Sequence, residues 1–460
     1  MSIVGTVNRT MREIPKSVKT SKTPSYETNV LKAHLILLAT QLILLILLVY
    51  PRDQYDKTFP LEDIITFINI TSSLHLPVIM VDSAVLEHHA NQKRQIHEPC
   101  VLCRAKHPVT FLLLYRRENP FDEFMLQLQN VNFQISIFFN IDPPELPADI
   151  PNDSPICYFI KRKTMIHLVL LHEREGNYWW YGSLNNDPRA DSKLKGLGMS
   201  FYSLQAMKTE GALDKFETEH ISLDGISMLV PKDVPQYLRE AAGSKFVECG
   251  LNRAREFQRI HGKNSTYETT KFSHRAWKLL SRAKTILDKL GIRFWISSGT
   301  CLGYFRQCSI ISHSKDVDIG VFITDYSEKI ISEFISHGFT LKHWFGKIND
   351  SLELSFLSGD IKLDIFFFYE EEEWMWNGGT QAKTGKKFKY LFPRFTLCWT
   401  EFLELKVRVP CETRVYIEAN YGPDWFTPVI EWDWKSSPPN VQLNGLWPVE
   451  EWPHVIQVYN

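Results

Sequence analysis

Asp316 and Asp318 stand two residues apart in Lys315-Asp316-Val317-Asp318-Ile319-Gly320, and Asp364 interrupts a second apolar run, Lys362-Leu363-Asp364-Ile365-Phe366-Phe367. Side chains of an extended strand alternate between faces, so the first pair shares one face while Val317 and Ile319 enter the core behind it. Carboxylates gathered against an apolar layer repel one another and lose hydration, so the arrangement calls for a compensating cation. A hard divalent ion such as Mg²⁺, with Mn²⁺ as the alternative, fits oxygen donors and commonly shares them with substrate phosphates. The chemistry expected of Asp316, Asp318 and Asp364 is therefore the binding of a divalent cation together with substrate phosphates.

Several elements must position these groups. The apolar residues Ala276, Leu279, Leu280, Ala283, Ile286, Leu287 and Leu290 keep helical spacing, with Ser273 expected to cap the helix and Gly291 to end it. Ile292 to Ser297 reads as a strand, followed by Ser298-Gly299-Thr300 and a helix start at Leu302-Gly303-Tyr304-Phe305-Arg306. A glycine-containing turn that opens a helix offers backbone N–H groups and a positive dipole end, so Ser298, Gly299 and Thr300 are expected to cradle phosphate. Arg306 reads either as a phosphate partner or as a surface helix charge. Leu352-Glu353-Leu354-Ser355-Phe356 alternates, Ser358-Gly359-Asp360 turns, and the Asp364 strand returns as a hairpin. Farther on, Asn377 to Thr380 reads as a loop that either reaches substrate or only turns the chain. Lys383, Lys386, Lys387 and Lys389 read as a basic loop for the donor or as a solvated run. Glu370 to Glu373 reads as a solvated loop.

Helix, strand, Gly-Thr turn, helix, paired-Asp strand and a later single-Asp strand form the layout of a nucleotidyltransferase fold. From about Phe272 onward the chain resembles the LicD family of phosphocholine and phospho-alditol transferases. The resemblance is carried by Ser298-Gly299-Thr300-Cys301-Leu302-Gly303, the two Asp stretches, Trp376-Asn377-Gly378-Gly379-Thr380-Gln381-Ala382-Lys383-Thr384-Gly385-Lys386-Lys387, Ala419-Asn420-Tyr421-Gly422 and Trp432-Asp433-Trp434-Lys435. It implies a CDP-ribitol donor, with ribitol 5-phosphate passing to a GalNAc hydroxyl on the O-mannosyl glycan of α-dystroglycan and CMP leaving. In that scheme Asp316 and Asp318 hold Mg²⁺ on the diphosphate, and Asp364 completes the site and takes the acceptor proton. It also implies association with other enzymes of the same pathway.

Ala33 to Tyr50 is rich in Leu and Ile, and its eighteen residues at ~1.5 Å each span about 27 Å, enough for a thin bilayer. Six basic residues precede it, Arg9 to Lys32, while Arg52 and Lys57 behind it are offset by Asp53 and Asp56. Positive-inside bias leaves the N-terminus cytosolic and the rest lumenal, as a single-pass type II membrane protein, and the resemblance implies the Golgi membrane. A cleaved signal peptide fits less well, because Val49-Tyr50-Pro51 is a poor cleavage site. The expected organisation is a tail (1–32), an anchor (33–50), a lumenal α/β stem (51–270) and a LicD-like α/β catalytic domain with a mixed sheet (271–460). In the stem, Pro77 to Val81, Thr110 to Tyr115, Phe133 to Phe139, Met165 to His172 and Tyr178 to Tyr181 read as strands, the last two as a hairpin. Asp142 to Pro147 reads as a surface loop.

A lumenal location makes Asn69, Asn152 and Asn264 glycan acceptors by sequon, with Asn349 disfavoured beside core strands. It also allows the eight cysteines to pair, with connectivity open. His97 to His107 carries zinc-ligand types around Cys100 and Cys103 but lacks a second Cys-x-x-Cys, so a disulfide or buried thiols compete with zinc. A net charge of −1 speaks against nucleic acid as a partner. Two other readings use the same residues: a GT-A-type glycosyltransferase with an Asp-x-Asp metal site, and a non-catalytic scaffold for related enzymes. The separate Asp364 strand opposes the first, and retention of all three carboxylates opposes the second.

Overall fold

The computed structural model describes residues 59–92, 100–104, 107–139, 154–184, 187, 189–199, 204, 207–262, 266–311 and 314–459. The apolar run at Ala33 to Tyr50, the loop expected at Asp142 to Pro147, and the sequon residues Asn152 and Asn264 lie outside them. Among the described residues no helix is long and apolar enough to cross a membrane.

The first half opens with helix α1 (Phe59–Ser73) and continues through β1 (Ile79–Met80), β2 (Val109–Leu114), β3 (Gln134–Phe139), β4 (Pro155–Lys161), β5 (Met165–Arg174), β6 (Tyr178–Tyr181), β7 (Gly211–Asp214), β8 (Thr218–Leu223) and β9 (Ile226–Pro231). They form one sheet in the order β3-β4-β5-β2-β1-β9-β8, with β6 and β7 extending from the end of β5. The five strand expectations and the β5–β6 hairpin hold, with Asn177 supplying the positive φ the turn needs. Val109, Phe111, Leu112, Leu113, Leu168, Leu170 and Leu171 fill the core of this half. Cys100 and Cys103 are joined by a disulfide, which removes the thiolates a zinc ion would need. Asn69 is exposed on α1.

The second half comprises α2 (Leu251–His261), α3 (Tyr267–Lys289), β10 (Phe294–Ile296), α4 (Ser298–Gln307), β11 (Asp316–Phe322), α5 (Lys329–Ser336), β12 (Thr340–Lys347), β13 (Asp350–Ser358), β14 (Ile361–Glu370), β15 (Trp374–Gln381), β16 (Lys386–Pro393), β17 (Leu397–Phe402), β18 (Leu405–Pro410), α6 (Thr413–Tyr421), β19 (Val441–Leu446) and β20 (Ile456–Val458). The main path of its sheet is β19-β16-β15-β14-β13-β12-β20. β14 pairs with β13 and then β15 along one edge, and in parallel with β11 along the other. β10 closes that side antiparallel to β11, so the sheet is mixed, as expected. All the apolar positions named for α3 are buried against this core or packed on it. The cap differs, however. Thr266 accepts from the Thr269 N–H, and the helix runs straight through Ser273 and residue 270, because nothing between Tyr267 and Ser273 breaks it. Gly291, at φ 70°, ends α3 as expected.

Asn349 lies exposed in the turn between β12 and β13, beside core strands as expected, and the sequon's Ser351 is fully buried. Disulfides join Cys249 to Cys308, tying the approach to α2 to the end of α4, and Cys398 to Cys411, closing the β17–β18 hairpin; Cys157 and Cys301 are free and buried. The two halves meet at a small aromatic cluster of Tyr178, Trp180 and Phe246 against Trp399. Arg174 bridges Glu248 at 2.8 Å and Glu401 at 3.4 Å there, and Lys406 reaches Asp214 at 2.9 Å.

Gly320 is the tightest point behind the site. It pairs with Trp295, and a Cβ added to it would lie 2.3 Å from that indole. Gly320→Ala is expected to lower unfolding free energy by about 1–3 kcal/mol through overpacking, measured as a reduced denaturation midpoint in urea.

Candidate active site

Register decides the geometry of the acidic cluster. In the parallel β11–β14 pair, Asp316 faces Lys362 and Asp318 faces Asp364, so two carboxylates expected from distant sequence positions stand side by side on neighbouring strands. One oxygen from each of Asp316, Asp318 and Asp364 lies within 4.8 Å of the others. Asp318 and Asp364 are buried and Asp316 is half-buried. Burial, then the neighbouring Asp316 and Asp364, pushes the Asp318 carboxyl well above the usual carboxylate range. Burial also raises Asp364, opposed by Lys362, whose ammonium lies 2.8 Å away, and by the Ser355 hydroxyl, which donates to it at 2.6 Å. Three carboxylates with oxygens within 4.8 Å of one another, two of them buried beside a single lysine, fit a hard divalent cation.

The start of α4 clasps Asp318 from three directions. The Gly299 N–H donates to its carboxylate at 3.1 Å, its own N–H donates to the Thr300 hydroxyl at 2.8 Å, and its carbonyl accepts from the Ser297 N–H at 3.0 Å. The helix begins at Ser298, not at Leu302, with Ser298 at φ 42°. Ser298 and Gly299 line the cavity, whereas Thr300 is buried outside its lining. The phosphate cradle expected of all three residues is thus in large part a holder for Asp318: the N-terminal dipole of α4 already faces a carboxylate.

The cavity occupies about 540 Å³ in front of this face of the sheet. Arg306 lines it and is only 3% exposed, which overturns the surface-charge alternative. Its guanidinium lies 4.7 Å from the Phe257 ring, donates to the Gln307 side chain at 3.2 Å, and leaves Nε without a partner. No carboxylate pairs with it among the described residues, and burial lowers its pKa to about 10, so it stays charged at neutral pH. Asn377 is not in a loop. It sits buried in β15, lines the cavity, and leaves its Oδ1 unbonded. Lys386 is exposed at the start of β16 and does not line the cavity. Lys387 and Lys389 point to the other face and pair with Asp350 and Glu371, each at 2.6 Å, while Lys383 lies exposed in the β15–β16 turn, so the set divides between strand ion pairs and the solvated run that was the alternative reading. Glu370 to Glu373 are exposed, as expected.

Glu353, Lys362 and His343 complete the cavity wall and were not singled out from sequence. The alternation that marks Leu352 to Phe356 as a strand also puts Glu353 and Ser355 on the face opposite the leucines, and that signal could have found Glu353. Burial and the charge of Asp364 push the Glu353 carboxyl up to about 8. A raised carboxyl pKa means the folded state holds a proton the unfolded chain releases. This contribution to stability is full below about pH 4.5 and is lost as pH rises through about 8. In chelator, unfolding free energy is expected to fall across that window, and Glu353→Gln to flatten the fall, as read from denaturation midpoints at stepped pH.

The aromatic side of the cavity is built by Tyr390, Phe392, Tyr421, Trp425, Trp432 and Trp434. Gly379 allows this closure: a Cβ there would lie 3.1 Å from Trp434 and 3.3 Å from Tyr390.

Residues 57–277 match the family model described as Fukutin N-terminal, and residues 291–412 match LicD/FKTN/FKRP, nucleotidyltransferase domain. Ribitol-5-phosphate transferase FKTN of Mus musculus is 47% identical over 405 residues, covering 85% of this chain and 87% of that protein. The Homo sapiens protein of the same name is 46% identical over the same shares. An uncharacterized protein of Caenorhabditis elegans is 28% identical over 249 residues, 51% of this chain and 61% of its own. Two domain models in chain order and near-full-length identity to proteins of one name agree with the convergent carboxylates and mixed sheet: the chain belongs to the fukutin family, with a LicD-type nucleotidyltransferase domain.

Proposed function

We propose that the protein is a ribitol-5-phosphate transferase that uses CDP-ribitol and, with a divalent cation, passes ribitol 5-phosphate to a GalNAc hydroxyl on the O-mannosyl glycan of α-dystroglycan. The observation that carries this reading is the meeting of Asp316, Asp318 and Asp364 within 4.8 Å at the end of a cavity that also holds a buried, acid-free arginine. Asp316, Asp318 and Asp364 would hold Mg²⁺ or Mn²⁺, which when bound supplies charge neutralisation of the diphosphate. Arg306 binds a phosphoryl oxygen through its free N–H groups. Ser298 and Gly299, at the cavity wall, orient the donor, and the aromatic side excludes water. The acceptor oxygen forms its bond to the ribitol-bearing phosphorus while the bond from that phosphorus to the bridging oxygen breaks, and CMP departs with the electron pair. Asp364, buried and raised, takes the acceptor proton.

A Golgi location, a type II anchor at Ala33 to Tyr50, and association with other enzymes of the pathway, fukutin-related protein among them, belong to the same proposal. The supporting features are the basic flank before the apolar run and the three disulfides, which suit an oxidising compartment. The test is to incubate the full chain with an acceptor glycopeptide and either CDP-ribitol or UDP-sugars. Acceptor-dependent release of CMP from the first alone supports the proposal, and turnover of a UDP-sugar instead supports the glycosyltransferase reading.

A further inference from the structure

A second cleft of about 880 Å³ lies between the two halves, lined by Asp214, Arg239, Trp399, Lys406 and Arg408 among others. It is separate from the transfer site. Phe322 lines it at the far end of β11, six residues from Asp316, or about 20 Å at ~3.3 Å per residue.

Five cations line this cleft, and three of them are answered by acids. Arg293 is bonded twice to Asp325, at 2.8 and 3.0 Å, Arg394 pairs with Glu370 at 3.2 Å, and Lys406 with Asp214 at 2.9 Å. Arg239 and Arg408 have no carboxylate partner among the described residues. Arg239 is exposed at the rim. Arg408 is different: it is paired across the β17–β18 hairpin with Trp399, and its guanidinium stacks 3.8 Å from that ring. Stacking fixes the plane and covers one face, leaving the N–H edge for a partner. Burial disfavours its charge, with Asp288 and Asp214 only partly offsetting this at a distance. A half-buried guanidinium held flat against an indole, with no hydrogen-bond partner among the described residues, is a preformed half of a bidentate oxyanion contact.

We infer that this cleft is a second binding site, for an oxyanion such as a phosphate or carboxylate, with Arg408 as its central donor and Arg239 closing from the first half. Two sources could present that group: a free anion acting as an effector, or an anionic group carried by the acceptor glycan. The acceptor source rests on the proposed transfer reaction, whereas phosphate binding to the cleft is independent of it.

The test titrates inorganic phosphate into the full chain in chelator, following tryptophan fluorescence and melting temperature. Wild type is expected to saturate, Arg408→Gln to bind roughly tenfold or more weakly, and Asp318→Asn to bind as wild type. Arg239→Gln, at an exposed position, keeps the test open should Arg408→Gln fold poorly, and is expected to weaken binding by a smaller factor. Absence of saturable binding to wild type, wild-type affinity in both arginine variants, or loss of binding in Asp318→Asn would each overturn the inference. With binding established, a raised acceptor KM at unchanged donor KM in Arg408→Gln identifies the acceptor as the source. A phosphate-dependent change in kcat, lost in the variant, identifies a free effector.

Discussion

Asp318→Asn is expected to reduce transfer by roughly 10³-fold or more while leaving the fold intact. The side chain changes by one atom, and the amide oxygen can still accept the Gly299 N–H that now reaches the carboxylate at 3.1 Å. The Thr300 and Ser297 bonds use only the backbone of Asp318 and are untouched. What is lost is one of three anionic oxygen donors at the centre of the cluster. In the proposed scheme those donors would hold a divalent ion supplying several kcal/mol of charge stabilisation to the diphosphate, and each 1.36 kcal/mol is a factor of ten in rate. Stability should move the other way. Asp318 is buried and its charge is opposed by Asp316 and Asp364, so in chelator the neutral amide is expected to match or exceed the wild-type melting temperature. Acceptor-dependent CMP release and thermal melts of the same preparation check both parts.

Arg306→Met is expected to show the same opposition by a different cause. The wild-type guanidinium is buried, charged at neutral pH and without a carboxylate, so folding bears its desolvation with only the Phe257 ring, the Gln307 side chain and a 3.5 Å contact to the Trp425 carbonyl in return. Methionine keeps much of the volume against Phe257 and removes the charge, so the melting temperature is expected to rise. Donor binding should weaken by about 10–100-fold, the worth of a charge-assisted contact of roughly 1.5–3 kcal/mol. Arg306→Lys restores the charge but not the planar fork and is expected to recover only part of the donor affinity. A donor KM unchanged in both variants would remove Arg306 from the binding site.

Much of this was legible in the chain because strand alternation is rigid. Asp316 and Asp318 had to share a face, and the turn at Ser358 to Asp360 had to return Asp364 beside its hairpin partner. Pairing of β11 with β14 was not legible, because a parallel neighbour is chosen by tertiary packing and carries no local turn signal. The same limit explains Asn377 and the lysines. Two consecutive glycines and a run of Lys suggest a loop locally, yet Trp374–Gln381 of β15 and Lys386–Pro393 of β16 are paired residue for residue, and only Lys383 of the lysines stays in the turn. Gly378 is required there because a Cβ would fall 2.2–2.6 Å from Ser351 on β13. Arg306 was ambiguous because helical periodicity gives the face a residue occupies but not whether α2 and Trp425 cover that face.

The most direct test of the central claim is Mn²⁺ binding to the full chain by electron paramagnetic resonance, with CMP present, in wild type and in Asp318→Asn and Asp364→Asn. The carboxylate cluster predicts saturable binding in wild type that either substitution weakens by at least about tenfold. Binding that survives unchanged in both variants would place the ion elsewhere and contradict the account.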